Sequence, residues 1–358
     1  MKQPRRTVGG RVSVTLRDVA NDAGVSVTTV SRILNDQPTG VPIRAATRER
    51  VMAAASRLGY RPNLLARGLR GSKSSLIGVI ARDISDPFHI QILDGINDVL
   101  RAHDYRLFLG HVNYEARVAI DYGSMFERSH ADGILVIGDI EGSEDALDAL
   151  AQQHRFIVGV ADRSDRRQIP GVYGDSRVGT QLAMDHLWDL GHRRIICVSD
   201  SRTYDGRLRI DCYEQYLRGH GATDQIRVFI TDQEPAPSFE LGQRIFAASA
   251  DRDLATAVYV TSDTAAIGML RAAYQAGIPV PERLSVVGYD DIDIAPYTVP
   301  PLTTISQSGV EMGRVAARLL LELADNDLDR DAVNDVVMAP TLVVRQSTTT
   351  PRAPSATG

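Results

Sequence analysis

Three side chains near the N-terminus have the chemistry needed to read the edges of DNA bases. Thr28, Ser31 and Arg32 lie in the stretch "GVSVTTVSRIL". The Thr28 side chain can hydrogen-bond a base or contact a thymine methyl group, and the Arg32 guanidinium can donate two hydrogen bonds to guanine O6 and N7. Ser26 and Thr29 carry hydroxyls that are suited to phosphate oxygens. This stretch therefore has the groups of a DNA contact surface.

Two short helices joined by a tight turn would hold these side chains in place. Thr15 and Asp18 have the spacing of a capping box, which predicts a helix that begins directly after Thr15. Gly24 permits a positive φ and predicts a turn, and Ser26 can then cap a second helix over 27–34. Such a helix-turn-helix presents the N-terminal end of its second helix to the major groove. An ordinary helical hairpin with a solvated polar face is the alternative.

Charge is divided unevenly along the 358 residues, although the whole chain has a formal net charge of −5. Residues 1–75 carry 14 Lys and Arg against four Asp and Glu, whereas the remaining 283 residues carry 26 against 41. A basic head on an acidic body indicates that the first segment binds a polyanion. A merely solvated basic surface is the alternative that charge alone leaves open.

A third helix and a short helical segment follow the first two. The stretch "TRERVMAAASRLGY" predicts a helix over about 46–58 that Gly59 ends, which completes a small three-helix core. Its apolar positions are Val51, Met52, Ala55 and Leu58. Asn63 can cap a helix over 64–69, but so short a helix is not stable alone. Without DNA we expect this segment to be a flexible linker.

From Leu76 onward the sequence alternates short apolar runs with helical stretches. Eight runs rich in β-branched residues lie at 76–81, 105–110, 133–138, 155–160, 194–199, 228–231, 257–261 and 284–289. Strands that alternate with helices form parallel α/β sheets. The pattern predicts an α/β fold with two Rossmann-like lobes, in which a ligand would bind beyond the carboxyl ends of the strands.

Acidic side chains follow several of these runs. Asp86, Asp263 and Asp290 each come soon after a predicted strand, and Phe88 adds an aromatic face near the first of them. Their carboxylates could accept hydrogen bonds from ligand hydroxyls. For Asp86 the alternative is a helix N-cap, which the following Pro87 favours, and both roles can hold together. Single Asp residues in such loops are more often turn formers than ligands.

The whole chain resembles the LacI/GalR family of transcription regulators. The resemblance rests, in order, on "VTLRDVANDAGVSVTTVSRILN", "RPNLLARGL", "DLGHRRI", "LSVVGYDD" and "PLTTISQ". It implies a LacI-type DNA-binding domain over 1–61, a hinge helix and linker over 62–75, and a periplasmic-binding-protein type I effector domain over 76–346. The chain is expected to cross between the two lobes three times. We expect the tail, 347–358, to be disordered and to form no coiled coil, since it lacks leucine heptads.

The resemblance implies a homodimer that binds a palindromic operator, with a repressor as the expected function. In the family two hinge helices pair on the operator, and a leucine, here Leu69, wedges into the minor groove. The expected DNA-contacting positions are Thr15, Ser26, Val27, Thr28, Thr29, Ser31, Arg32, Asn35, Asn63, Ala66, Arg67 and Leu69. The loop after Asn35 is longer than is usual in the family.

The resemblance also implies a small-molecule effector site between the lobes. Its expected positions are Asp86, Phe88, Arg209, Asp263, Asp290 and Gln307. Arg209 matches the arginine that binds a carboxylate or hydroxyls of the effector. Asp211 and Cys212 replace the small pair that usually follows, so Arg209 could pair with an acid instead. A sugar or small polyol is the expected effector and a nucleobase the alternative.

We expect neither an enzyme nor a cofactor or metal site. No dinucleotide-binding glycine motif after a strand, phosphate-binding loop, nucleophile elbow or zinc-protease motif occurs, and His186 and His192 lack metal-ligand spacing. An α/β enzyme with a basic tail and a free-standing solute-binding protein remain as alternatives. Two cysteines, no apolar run long enough for a membrane span and no signal-like N-terminus predict a cytoplasmic protein without a membrane partner.

Overall fold

The computed structural model describes residues 7–8, 11–12, 14–34, 43–60, 74–139, 144–161, 169–248, 255–328 and 333–351. The chain divides into two compact units, residues 1–74 and 75–358. The predicted hinge helix and most of the long loop after Asn35 lie outside the described residues.

The first helix of the N-terminal unit begins and ends as its sequence predicts. α1 (Leu16–Ala23) follows a capping box in which Thr15 Oγ1 accepts a hydrogen bond from the Asp18 amide at 3.3 Å. The Asp18 carboxylate in turn accepts from the Thr15 amide at 2.9 Å. Gly24 ends the helix in the left-handed conformation, with φ 63°. These local bonds fix where α1 enters and leaves the small core.

Two further helices complete that core. α2 (Val27–Leu34) and α3 (Ala45–Leu58) pack on α1, and a two-stranded antiparallel pair, β1 (Thr7–Val8) and β2 (Arg11–Val12), precedes it. The buried residues are Val19, Ala20, Ala23, Val30, Ile33, Val51, Ala54 and Ala55. Met52 is 53% exposed, because α3 faces the core through its neighbouring small residues. The spacing of apolar residues in the sequence does not distinguish the exposed Met52 from the buried positions of α3.

The first lobe of the second unit is a six-stranded parallel sheet covered by helices. Its strands are β3 (Leu76–Ala81), β4 (Arg106–His111), β5 (Gly133–Ile137), β6 (Ile157–Val160), β7 (Gly171–Gly174) and β13 (Val336–Met338), in the order β13-β7-β6-β5-β3-β4. Its helices are α4 (Pro87–Ala102), α5 (Ala116–Arg128), α6 (Glu144–Gln153) and α11 (Gly309–Asp325). Gly95 lets α4 approach α11 closely, since a Cβ there would lie 1.9 Å from the Val310 carbonyl oxygen.

The second lobe repeats this architecture with one antiparallel edge strand. Its strands are β8 (Ile195–Ser199), β9 (Val228–Ile230), β10 (Ala257–Val260), β11 (Ser285–Asp290), β12 (Thr303–Ser306) and β14 (Thr341–Val343), in the order β14-β12-β11-β10-β8-β9. Its helices are α7 (Ser176–Asp189), α8 (Tyr204–Gly219), α9 (Pro235–Ala248) and α10 (Asp263–Gln275). β14 pairs antiparallel with β12, and the other strand pairs are parallel.

The topology confirms the two-lobed α/β prediction. All eight predicted runs form strands, with ends displaced by at most two residues. The chain passes between the lobes after β7, after β12 and after β13, which are the three expected crossings. Among the described residues, no helix combines the length and the apolar character needed to cross a bilayer.

Residues 347–351 contradict the prediction that the tail is disordered from 347 onward. Ser347 is fully buried: it accepts from the Thr303 amide at 2.8 Å and donates to the Val286 carbonyl oxygen at 2.6 Å. The Thr349 carbonyl oxygen accepts from His192 Nε2 at 2.9 Å. The small polar residues of this segment are therefore ordered by backbone partners far away in sequence. Residues 352–358 lie outside the described part of the chain.

Candidate functional site

The second helix of the N-terminal unit presents a polar face at its N-terminal end. Ser26 caps α2, because its Oγ accepts from the Thr29 amide at 3.1 Å. Val27, Thr28 and Arg32 are exposed, with Val27 at 39%. Val30 and Ile33, on the opposite face, are buried in the three-helix core. The helix thus holds the predicted base-reading side chains outward on a rigid support.

The other predicted DNA-contacting residues fall into two groups. Thr29 and Ser31 are only partly exposed, and the Thr15 hydroxyl donates to Asp18 Oδ2 at 2.8 Å within the capping box. Thr15 therefore positions α1 and has its hydroxyl proton already engaged. The remaining positions, Asn35, Asn63, Ala66, Arg67 and Leu69, lie outside the described residues.

A polar cleft of about 460 Å³, partly open to solvent, lies between the two lobes of the second unit. Five predicted effector-site residues line it: Asp86, Phe88, Arg209, Asp290 and Gln307. Seven further lining residues were not predicted: Arg82, His89, Asp139, Ala161, Thr203, Asp205 and Gln233.

The first-lobe wall is built around the start of α4. Asp86 caps this helix through Oδ1, which accepts from the Phe88 amide at 2.9 Å, so the predicted N-cap role is confirmed. Asp86 Oδ2 lies 3.5 Å from Arg82 Nη2 and 3.8 Å from His89 Nε2. His89 Nδ1 donates to the Asp83 carbonyl oxygen at 2.8 Å, and burial lowers the pKa of this imidazole. His89 is therefore neutral near pH 7 and presents Nε2 as an acceptor.

On the second-lobe wall Arg209 is held by neutral groups. Its Nε donates to Ser176 Oγ at 3.2 Å, its Nη1 donates to the Thr261 carbonyl oxygen at 2.9 Å, and its guanidinium lies 3.6 Å from the centre of the Tyr289 ring. Among the described residues no carboxylate forms an ion pair with Arg209. The structure thus shows no pairing of Arg209 with an acid in the described part of the chain, and Asp211, two positions on along α8, is exposed.

Two further acidic side chains lie at the N-terminal end of α8, beside the cleft. Asp205 lies in its first turn and accepts from Ser176 Oγ at 2.9 Å through Oδ1. Asp139, from the first lobe, accepts from the Tyr204 amide at 2.9 Å through Oδ2 and so connects the two lobes. A helix N-terminus carries partial positive charge, which attracts both carboxylates.

Asp290 and Gln307 form the floor of the cleft at the lobe crossing. Gln307 Nε2 donates to Asp290 Oδ1 at 2.8 Å, and both side chains are more than nine-tenths buried. Burial raises the pKa of Asp290 well above its ordinary value, although Arg209 opposes the rise. Asp290 also has a φ of 114°, a strained conformation that costs about 1–3 kcal/mol and is typical of functional positions. Gly174 leaves room for Gln307, since a Cβ there would lie 2.5 Å from Gln307 Oε1.

Asp263 does not line the cleft, contrary to the expectation from the sequence. Its side chain is fully buried, Oδ1 accepts from the Thr304 hydroxyl at 2.6 Å, and Oδ2 accepts from the Ile292 amide at 3.0 Å. Burial raises the pKa of Asp263 to about 7. In this geometry both oxygens are engaged by the protein, so Asp263 is a structural group that ties α10 to β12 and to the segment after β11.

Four of the seven unpredicted lining residues directly follow a strand or lie within three residues of its end. Arg82, Asp139 and Ala161 follow β3, β5 and β6, and Gln233 follows β9. These four residues lie beyond the carboxyl ends of strands, which is where α/β sheets bind ligands. No group of three or more His, Cys, Asp or Glu that could hold a metal ion occurs among the described residues.

Comparisons with known proteins agree with both halves of this description. The family model for bacterial regulatory proteins of the lacI family matches residues 15–63, and the model for a periplasmic binding protein-like domain matches residues 184–348. The HTH-type transcriptional repressor PurR of Photobacterium profundum is 32% identical over 340 residues, which cover 93% of this chain and 98% of PurR.

Two solved structures share the fold across their whole length. The lac repressor dimer bound to operator and the anti-inducer ONPF has a TM-score of 0.82 at 27% identity, covering 94% of this chain and 99% of the repressor chain. A LacI family regulator from Enterococcus faecium with bound ribose has a TM-score of 0.69 at 28% identity, covering 77% of this chain and 100% of that one. The helix-turn-helix, the two-lobed cleft and these similarities together show that the chain belongs to the LacI family of bacterial transcriptional regulators.

Proposed function

We propose that this protein is a homodimeric repressor that binds a palindromic operator and responds to a polyol effector held between its lobes. One observation carries the proposal. An exposed base-reading face on α2 and a polar cleft with unsatisfied donors and acceptors occur in separate compact units of one chain. The segment 62–75 connects the two units, and we take it to be the hinge that transmits the effector signal.

The DNA-binding half of the proposal rests on α2. Arg32 can donate two parallel hydrogen bonds to a guanine, and Thr28 can contact a neighbouring base. The Ser26 cap and the N-terminus of the helix favour a phosphate at the same end. Two such helices related by a dimer axis would reach successive major grooves, so the operator should be a near-palindrome.

The effector half rests on how the cleft carboxylates are used. Asp205 and Asp290 each commit one oxygen to the protein, at 2.8–2.9 Å, and leave the other for a ligand hydroxyl. Asp86 commits Oδ1 to the Phe88 amide, and its Oδ2 lies 3.5 Å from Arg82 Nη2. Several acceptors around one cavity suit a molecule with several hydroxyl donors. Phe88 and His89 carry the aromatic rings among the described lining residues, and they are only 5% and 2% exposed, which gives a nucleobase little surface for stacking.

The DNA half is tested by selecting sequences from random duplexes with the full-length protein. Selected sites should contain two inverted half-sites, and binding measured by fluorescence anisotropy should weaken steeply with added salt, because arginines neutralise phosphates. The effector half is tested by a thermal-shift screen of sugars, polyols and nucleobases, since a bound ligand raises the melting temperature. Selection without symmetric sites, or a screen in which only nucleobases bind, would contradict the respective half.

A further inference from the structure

Arg82 is a buried guanidinium whose hydrogen-bonding capacity is largely unused. It follows β3, lines the cleft and is only 6% exposed. Among the described residues only its Nη2 has polar side-chain partners, His89 Nε2 at 3.4 Å and Asp86 Oδ2 at 3.5 Å. Its Nε is buried without any partner. Because a guanidinium has five N–H donors, most of those of Arg82 are left for a ligand.

The surroundings of Arg82 hold it in place, but among the described residues its one ion pair is with Asp86, at 3.5 Å through Nη2. The Tyr114 ring centre lies 5.3 Å from the guanidinium carbon. His89 offers Nε2 but no charge. Gly138 has a φ of 77°, and a Cβ at this position would lie 3.0 Å from His89 Nε2 and 3.3 Å from Arg82 Cβ. Gly138 therefore leaves room for the side chains of His89 and Arg82. Together these neighbours provide fewer hydrogen-bond acceptors than Arg82 has donors.

The facing lobe supplies a second arginine with unused donors. Arg209 commits Nε and Nη1 to Ser176 and Thr261. Its Nη2 has no hydrogen-bond partner among the described residues, although the side chain is only 4% exposed. Guanidinium groups bind carboxylates through paired N–H donors more strongly than they bind neutral oxygens. Donors on both walls thus favour an oxyanion in the cleft.

The acidic side chains of the cleft, in contrast, are compensated by the protein. Asp86 caps α4, and Asp139 and Asp205 lie at the N-terminus of α8, where the partial positive charge of the helix stabilises them. Asp290 accepts a hydrogen bond from the Gln307 amide at 2.8 Å, and burial raises the pKa of this carboxyl. Asp86 also forms an ion pair with Arg82 at 3.5 Å, so what the described residues leave unused is N–H donors, at Nε and Nη1 of Arg82 and at Nη2 of Arg209.

We propose that Arg82 determines effector specificity and that the effector is a sugar acid, a polyol with one carboxylate that pairs with Arg82. The free Nη2 of Arg209 donates to the same ligand from the facing wall, and the ligand hydroxyls donate to the cleft carboxylates. This inference rests on the proposed function, because it assumes that the cleft is the effector site.

The test compares matched ligands on the full-length protein. Thermal shifts and calorimetric titrations use D-glucose with D-glucuronate, D-galactose with D-galacturonate, D-gluconate, and acetate as a carboxylate without hydroxyls. At least one sugar acid should bind, more tightly than its neutral partner and than acetate. Arg82→Gln should weaken that acid roughly 10–150-fold, as expected for loss of a charged hydrogen-bond donor. Arg82→Lys keeps the charge and should lose less of the affinity for the sugar acid. Arg101→Gln changes an exposed position of α4 and should bind the sugar acid as tightly as the parent.

Each other result overturns the assignment. The sugar-acid inference fails if no acid in the panel binds, if a neutral sugar binds as tightly as its acid, or if Arg82→Gln leaves the acid affinity unchanged. Binding of a neutral sugar that alters operator affinity would leave the proposed function intact while removing the role of Arg82. Absence of operator binding in the same preparation would instead contradict the proposed function.

Discussion

Asp263→Asn should make the stability of the second unit less sensitive to rising pH. In the folded protein the pKa of the Asp263 carboxyl is raised to about 7, against an ordinary value of 3.8, because the group is buried. Between these two values the folded state holds a proton that the unfolded state has lost. The stability that comes from this proton is therefore fully present below about pH 4 and is lost as the pH rises to about 7.

The size of the effect follows from the pKa difference. A shift of about 3 pH units corresponds to about 4 kcal/mol of unfolding free energy, which is an upper limit because the buried site can relax. Asparagine has nearly the same shape and can keep both bonds: its carbonyl oxygen accepts from the Ile292 amide, and its amide donates to a rotated Thr304 hydroxyl. The variant should thus match the parent below about pH 4 and exceed it by a margin that grows from pH 5 to pH 8.5.

Urea unfolding followed by the fluorescence of Trp188, the single tryptophan of the chain, measures this difference in the lobe that contains Asp263. Asp290 also has a raised pKa, to which the charge of Asp263 contributes, so its effect cancels only in part between parent and variant. Asp211→Asn, at an exposed position of the same lobe, is the control and should track the parent at every pH. A stability difference between Asp263→Asn and the parent that stays constant from pH 5 to 8.5 would refute the reasoning.

Three other changes test the DNA face, the packing and the domain division. Arg32→Ala should cost about 1–3 kcal/mol of operator affinity and relax the preference at one symmetric position per half-site, whereas an equal loss on all sequences in anisotropy titrations would mean that Arg32 contacts only phosphate. Gly206→Ala should destabilise the second lobe by about 1–3 kcal/mol in urea, because its Cβ would lie 1.9 Å from the Asp200 carbonyl oxygen; Gly219→Ala, with nothing within 4 Å, should not. Deletion of residues 1–62 should leave a soluble, cooperatively melting body that still binds effector, since the second unit has its own core; an insoluble or effector-blind product would place the boundary elsewhere.

Local features of the fold could be predicted to the residue. The capping box at Thr15, the turn at Gly24 and the Ser26 cap all depend on groups within four residues of one another, so the sequence carries the whole signal. Six of the eight apolar runs became strands for a similar reason, because they are buried along nearly their whole length; β4 and β9, at the sheet edges, are partly exposed. The edge strands β13 and β14 were not predicted, since each has only three residues and is at most partly buried.

Features set by distant partners could not be predicted. Asp263 follows a strand as a ligand-binding acid would, but Thr304, 41 positions later, takes its carboxylate. The tail was expected to be disordered from its composition, yet Ser347 is fixed by Thr303 and Val286. Arg82 was overlooked because its importance comes from acceptors that are missing around it, which only the packed cleft reveals.

The central claim is that a ligand in the cleft changes DNA binding by a separate unit, and operator titrations with and without effector test it most directly. The titrations use the operator found by selection and the ligand found by thermal shift. They are carried out on the parent, on Asp205→Asn and on Asp211→Asn. We predict that effector changes the operator affinity of the parent by about 5–150-fold. Asp205→Asn should bind operator like the parent without effector but lose most of that change, while the exposed Asp211→Asn keeps it. An unchanged operator affinity in the parent at saturating effector, or a full response in Asp205→Asn, would contradict the account.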